Sequence, residues 1–345
     1  SEAAVSAWVD AWHAAWPRGW ITAAVAFVAA EAWRRFALRR GVLDTPGHRS
    51  SHDVPTPRGA GTGIALAVAL AIALWAPSGT TGQAVLLGLL IVALVGLIDD
   101  LRALRASWKL LGQAVAALPV AFALPWAPET LPFVLPQPLA VAASAALVLL
   151  FVNAWNFMDG IDGLATAAAM AVSASVLIVA GGASATLGSV LALAVFSACA
   201  GFLPLNVPKA RAFMGDCGSH ALGLAVAVLV LSAPPSVAGS VALVASAAFV
   251  VDVLGTLALR AIVREPLASA HRRHLYQLVT RNGYSHGRVT MAYAAWMLAS
   301  GGGMAMALTS GFGGIFAAAS VALTAGTWWW AQRHFTSRLK ERGLW

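Results

Sequence analysis

The sequence predicts an all-α polytopic membrane protein with about eleven transmembrane helices, the N-terminus outside and the C-terminus cytoplasmic. Three observations carry this: an apolar, weakly charged composition, recurrent runs of bilayer-spanning length, and basic residues confined to one side of those runs. Of 345 residues, 59% are hydrophobic and 10% charged, and the mean hydropathy is +0.77. Soluble domains carry about 25% charge. The 32 Gly and 14 Trp suit a membrane bundle, where small residues let backbones approach and Trp anchors the interfaces. A net charge of +8 in so apolar a chain points to basic membrane loops and away from nucleic acid. Two cysteines, Cys199 and Cys217, exclude a disulfide framework. The first apolar stretch lacks a basic leader and is followed by Arg34 and Arg35, so no cleaved signal peptide is expected.

A helix crosses the hydrocarbon core in about 20 residues, within roughly 17–25. Such runs fall at about 20–36, 61–76, 83–98, 108–126, 139–154 and 164–180, then at about 186–205, 219–232, 237–259, 289–308 and 314–331. Gly181-Gly182 and Pro234-Pro235 split two longer apolar stretches into hairpins. The longest polar loops follow the first and ninth runs. Alternating sides at each run places every one of the 22 Lys and Arg except Arg18 on a single face, which the positive-inside rule makes cytoplasmic. No inverted repeat of the transporter kind is visible, and residues 1–345 read as one integral membrane domain.

The same alternation gathers the unusual polar residues on that face. They are His48-Arg49-Ser50-Ser51-His52 with Pro55-Thr56-Pro57-Arg58-Gly59, Asp99-Asp100, and the cluster Asn153, Asn156, Asp159 and Asp162. Asn206, the Phe213–Ser219 segment with Asp216, Asp252, and His271-Arg272-Arg273-His274 complete the set. Carboxylates beside Arg and His suit a divalent cation bound together with phosphates. Each piece has a plainer alternative. Asp99-Asp100 could be a solvated helix end, although acids oppose the dipole there. Asp159-Gly160 and Asp162-Gly163 could be turns, and Asp216 could cap a helix. Asp252, inside an apolar run two turns from Arg260, is either a site residue or half of an ion pair. His271 and His274, three apart, would share a face on a helix; that spacing could bind a transition metal, but without a Cys or third His nearby it favours phosphate contact.

Taken together, these stretches resemble the polyprenyl-phosphate N-acetylhexosamine-1-phosphate transferases, bacterial glycosyltransferase family 4, and the related phospho-muramoyl-pentapeptide translocases. The matching text is His52-x-x-Pro55-Thr56-Pro57-Arg58-Gly59, Gly96-x-x-Asp99-Asp100, and Asn153-x-x-Asn156-x-x-Asp159-Gly-Ile-Asp162-Gly. It continues through Asn206, Phe213-Met-Gly-Asp216-Cys-Gly-Ser219, Asp252, and His271-Arg-Arg-His274-Leu-Tyr-Gln277, in family order from about residue 44 to 290. The resemblance implies transfer of an N-acetylated amino-sugar-1-phosphate from a UDP-sugar to undecaprenyl phosphate, with release of UMP. It implies Mg²⁺ or Mn²⁺, a bacterial inner membrane with a cytoplasmic active site, and a start to O-antigen or another envelope glycan; a homodimer is compatible with it. It assigns Asp99, Asp100 and Asp159 to catalysis and Asp216 to the metal. His52 and Arg58 go to the lipid phosphate, and Asn153, Asn156, Asp162, Asn206, Asp252, His271, Arg272 and His274 to the nucleotide sugar. Three departures stand out: Gly59-Ala60-Gly61 stands where a plainer Gly-Gly is common, no Lys follows Asp99-Asp100 closely, and the histidine motif looks more like the branch acting on UDP-N-acetylfucosamine or UDP-N-acetylquinovosamine.

The implied chemistry is attack of a lipid-phosphate oxygen on the β-phosphorus, governed by positioning and charge neutralisation. A phosphate monoester is largely deprotonated at neutral pH, so Asp99 as general base faces little demand, and a covalent aspartyl-phosphate route stays open. The rival class is a transporter or flippase, for which Asp252 would suit a translocation path. Such a path needs polar access from both faces, whereas here the ionisable residues crowd one. A scaffold for other envelope enzymes would not require five acid-bearing loops.

Overall fold

Each apolar run coincides with a helix, except the ninth, which is two. The computed structural model describes residues 2–46, 54–126, 135–180, 186–231, 238–266 and 271–345. Among them are thirteen helices and one β-pair: α1 (Glu2–Arg40), β1 (Leu43–Asp44), β2 (Thr56–Pro57), α2 (Thr62–Trp75), α3 (Thr80–Leu101), α4 (Ala106–Ala123) and α5 (Gln137–Met158) come first. Then follow α6 (Leu164–Val179), α7 (Leu187–Asn206), α8 (Gly215–Leu231), α9 (Ala238–Ala245), α10 (Ala247–Ile262), α11 (Leu275–Arg281), α12 (His286–Thr309) and α13 (Gly313–Glu341). The Gly181-Gly182 and Pro234-Pro235 breakers lie outside the described residues.

By length and composition α3, α4, α5, α7 and α12 can each cross a bilayer, and the bent pair α9–α10 makes a sixth; α2, α6 and α8 are apolar but shorter. This is a multi-pass membrane protein. The ninth run, expected to be continuous, bends by 50° at Ser246. Neither Pro nor Gly stands there. The Ser246 hydroxyl donates to the Ala242 carbonyl at 2.7 Å, and such back-bonding bends helices. The start of α7 is fixed locally by a capping box, in which Ser189 N–H donates to Thr186 Oγ1 at 3.2 Å and Thr186 N–H donates to Ser189 Oγ at 3.3 Å.

Helix α8 is apolar all round from Ala221 onward and is buried along its length, as a helix with no polar face must be. It packs against α2, α3, α5 and α9 and touches α6 and α7. Close approach needs small residues. Gly96 of α3 lies against the Asp216-Cys217 backbone, so a Cβ at this position would strike main chain. On the polar end, β1 and β2 pair antiparallel with Leu43 opposite Pro57 and Asp44 opposite Thr56. That pairing closes the first polar loop immediately before Arg58.

Candidate active site

Two segments far apart in sequence meet as backbone. Phe213 N–H donates to the Pro57 carbonyl at 2.8 Å, Ala60 N–H to Phe213 O at 3.0 Å, and Gly61 N–H to Met214 O at 2.8 Å. Asp100, in the last turn of α3, completes the junction. Its Oδ1 accepts from Asp216 N–H and its Oδ2 from Cys217 N–H, both at 3.0 Å. Arg58 Nε and Nη2 donate to Oδ1 at 3.2 and 3.0 Å. Asp100 therefore serves as the anionic cap of α8, whose unpaired N–H groups and dipole favour negative charge. Gly215 makes room: its φ is 73°, and a Cβ there would come within 2.6 Å of both Asp100 oxygens. The unfavourable pairing of Asp100 with its own helix end is thus offset by a second helix.

Asp99 turns the other way. Its Oδ1 accepts Leu104 N–H at 2.7 Å and its Oδ2 accepts Lys109 Nζ at 3.2 Å. Lys109 also donates to Asp216 Oδ2, so one ammonium bridges two carboxylates. Asp216 is not the cap of its own helix, since Asp100 fills that role and the Asp216 carboxylate faces Lys109 and His220. His220 Nε2 lies 3.7 Å from Asp216 Oδ2 and 3.2 Å from Gln113 Nε2. Gln113 Oε1 in turn accepts Asn153 Nδ2 at 2.8 Å. Asn156 Nδ2 donates to Ser219 Oγ at 3.1 Å. Residues from α3, α4, α5 and α8, with Arg58, form one network.

Lys109, Gln113 and His220 were missed as site residues. A lysine nevertheless reaches Asp99, from the first turn of α4. A signal was present: Lys109 and Gln113 stand four apart in an apolar run, and His220 stands four residues after Asp216, which puts each pair on one helical face.

A second group surrounds the start of α6. Asp162 Oδ2 accepts Ala210 N–H at 3.3 Å and lies 3.4 Å from His286 Nδ1, while Thr290 Oγ1 donates to its carbonyl at 2.9 Å. Asn206 Oδ1 accepts Gly163 N–H at 2.9 Å, and its Nδ2 donates to Ala212 O at 3.3 Å. Asp162 and Asn206 thus tie the loop after α7 to the loop after α5. Between the groups, the Asp159 carboxylate has no hydrogen-bond or ion-pair partner among the described residues. Burial and the charges of Asp216, Asp100 and Asp162 push its pKa up to about 8.

The third group is the histidine segment. Asp252 is fully buried and does not pair with Arg260. Its oxygens accept Leu275 N–H at 2.9 and 3.1 Å, Tyr293 Oη at 2.9 Å, Trp328 Nε1 at 3.0 Å and Thr256 Oγ1 at 3.2 Å, and His274 Nδ1 lies 3.7 Å away. Arg260 binds Glu265 and the Pro266 carbonyl instead. Tyr276 Oη donates to Phe157 O at 3.0 Å, which docks α11 on the end of α5 beside Asp159. His274 is 2% exposed, so the more accessible face belongs to His271 and Arg272. Burial and neighbouring His274, Arg260 and Arg273 push the His271 pKa down to about 4, leaving a neutral imidazole at neutral pH. His52 lies outside the described residues.

The donor chemistry fits a small hard cation. Asp99 and Asp216 offer carboxylate oxygens to one point that an ammonium occupies, and Mg²⁺ is commonly held by one or two carboxylates with substrate phosphates completing the shell. No cage of three or more acidic, His or Cys ligands occurs among the described residues, and that mode does not need one.

The profile of glycosyl transferase family 4 matches residues 83–233. The decaprenyl-phosphate N-acetylglucosaminephosphotransferase of Mycolicibacterium smegmatis is 31% identical over 324 residues, covering 80% of this chain and 78% of the relative. A probable undecaprenyl-phosphate N-acetylglucosaminyl 1-phosphate transferase of Bacillus subtilis is 28% identical, covering 73% and 74%. The phospho-N-acetylmuramoyl-pentapeptide-transferase of Chlorobaculum parvum is 33% identical over 53% of this chain and 60% of its own length.

Proposed function

The chain belongs to glycosyl transferase family 4 as a polyprenyl-phosphate hexosamine-1-phosphate transferase, and we propose that it moves an N-acetylhexosamine-1-phosphate from a UDP-sugar to undecaprenyl phosphate, releasing UMP. We place the site on the cytoplasmic face of a bacterial inner membrane, beneath eleven spans that begin outside and end inside, and assign it to the first step of an envelope glycan such as O-antigen. The observation that carries the reading is the junction of Arg58, Asp99, Asp100, Lys109 and Asp216, which joins cations to carboxylates where phosphates must meet.

In this reading Arg58 and Lys109 attract the two phosphate groups, and charge-assisted N–H···O bonds orient them. Asp99 and Asp216 would hold Mg²⁺ or Mn²⁺, which supplies neutralisation of diphosphate charge when bound. At ~4 Å, even an effective dielectric of 20 makes each unneutralised like-charge pair cost about 4 kcal/mol. Asp100 has its oxygens filled by two backbone N–H groups and Arg58, so it fixes the geometry of the junction. Asp159, whose pKa is pushed up to about 8, can donate a hydrogen bond to a phosphate oxygen. Asn153, Asn156 and the His271-Arg272 edge line the approach for the nucleotide and sugar. The relatives' names favour N-acetylglucosamine as the first donor to test; the histidine motif keeps 6-deoxy donors in the panel.

The test is UMP release with UDP-N-acetylglucosamine, UDP-N-acetylfucosamine or UDP-N-acetylquinovosamine, undecaprenyl phosphate and titrated Mg²⁺. Wild type is expected to turn over at least one donor, and Asp216→Asn to shift the Mg²⁺ midpoint upward or abolish turnover. No release from any donor would remove the substrate assignment. Equal midpoints and plateaus would move the metal elsewhere.

A further inference from the structure

At the polar end of α10 and α13 a groove of about 460 Å³ opens, outside the carboxylate site. Its apolar wall is Leu259, Ile262 and Trp329, with Ile262 76% exposed. Its cationic rim is Arg273, Arg333 and Lys340. Arg273 is held by Glu265 at 2.6 Å, whereas Arg333 and Lys340 have no ion-pair partner among the described residues. The cations also lie over tryptophan rings, Arg333 over Trp329 at 5.5 Å and Arg273 over Trp345 at 5.1 Å. An apolar trough ending in uncompensated positive charge and indole rings complements a headgroup phosphate above an acyl chain.

We propose that this groove binds one anionic phospholipid, its phosphate between Arg333 and Lys340 and its acyl chain on Leu259, Ile262 and Trp329. The polyprenyl acceptor is a different occupant with related chemistry. The groove is lined by α10, α13, Arg273 and Trp345, with no residue of α3, α4, α5 or α8, and the reacting phosphate belongs with Arg58 and Lys109. The groove nevertheless touches the histidine segment. Gln332 Nε2 of α13 donates to the Arg273 carbonyl at 2.9 Å, and Arg273 lies between His271 and His274. A bound phospholipid therefore steadies the loop that approaches the donor.

The experiment uses the full chain in nanodiscs of phosphatidylcholine mixed with phosphatidylglycerol, with retained lipid read by native mass spectrometry and no donor present, so the result is independent of transferase activity. Wild type should retain phosphatidylglycerol in preference to phosphatidylcholine. The exposed double variant Arg333→Gln/Lys340→Gln should lose about 25-fold of that preference, about fivefold for each basic residue removed near the membrane surface. The charge-keeping variant Arg333→Lys/Lys340→Arg should retain it. In a second reading, phosphatidylglycerol should lower the donor KM of wild type and leave that of the Gln variant unchanged. An unchanged preference in the Gln variant, or none in wild type, overturns the proposal. Displacement of phosphatidylglycerol by undecaprenyl phosphate would also overturn it, because the groove would then belong to the acceptor.

Discussion

Asp159 shows how a single acid is held at a cost to the fold. Its carboxyl titrates at an ordinary 3.8 when unfolded and at about 8 when folded. Between those values the folded state binds more protons, so stability falls as pH rises. Asp159→Asn removes that loss. In detergent without Mg²⁺, its melting temperature should exceed that of wild type at pH 8, with the gain shrinking toward pH 5 and gone below 4. The same variant should lose most UMP release, and full activity would remove Asp159 from the chemistry. Lys109 makes the complementary case. Lys109→Met removes the ammonium that bridges Asp99 and Asp216 and leaves two like charges facing each other, which should lower stability by about 1–3 kcal/mol and turnover about 10- to 100-fold. Mg²⁺ should then raise the melting temperature of the variant more than that of wild type, because the competing ammonium is gone. Equal thermal shifts would show that Lys109 does not occupy the cation position.

Among the elements, α10, α12 and α13 are fastened to α11 through one carboxylate. Asp252→Ala would strand the Leu275 N–H, the Tyr293 hydroxyl and the Trp328 indole N–H, at about 1–3 kcal/mol for each buried donor left unsatisfied. The expected result is a clear drop in unfolding temperature and a raised donor KM, because the His271–His274 segment loses its anchor; an unchanged KM in folded protein would separate this anchor from donor binding. Sequence alone revealed that Asp252 is unusual, since a carboxylate in an apolar run demands partners. It did not reveal which partners, because Tyr293 and Trp328 lie 41 and 76 residues away and only helix packing joins them. The eleven runs were legible as helices from apolar length. The bend at Ser246 was not, because its cause is one hydroxyl in a run without Gly or Pro. Asp99, Asp100 and Asp216 were legible as a group through their motifs. Lys109 hid among residues explained by charge bias, and His220 hid inside an apolar helix.

For the whole molecule, the one-sided charge makes topology testable without activity. Single cysteines at Arg102 and Arg338, in a background lacking Cys199 and Cys217, should react with a membrane-impermeant maleimide only when the cytoplasmic side is opened. A cysteine at Ser78, in the turn between α2 and α3, should react in intact cells. Labelling of Arg338→Cys from outside would invert or break the eleven-span reading. The joint between Asp100 and α8 also bears on how the protein is made. Asp100 finds its backbone donors 116 and 117 residues later in the chain, a delay of about 6–23 s at 5–20 residues per second. Throughout that interval the nascent chain already displays Asp99 and Asp100 at the membrane surface, but without the α8 start that shapes them. A ribosome-bound chain halted before Gly215 lacks both Asp216 and the backbone donors of Asp100, so it should release no UMP, and the junction can close only once α8 packs against α3 and α5.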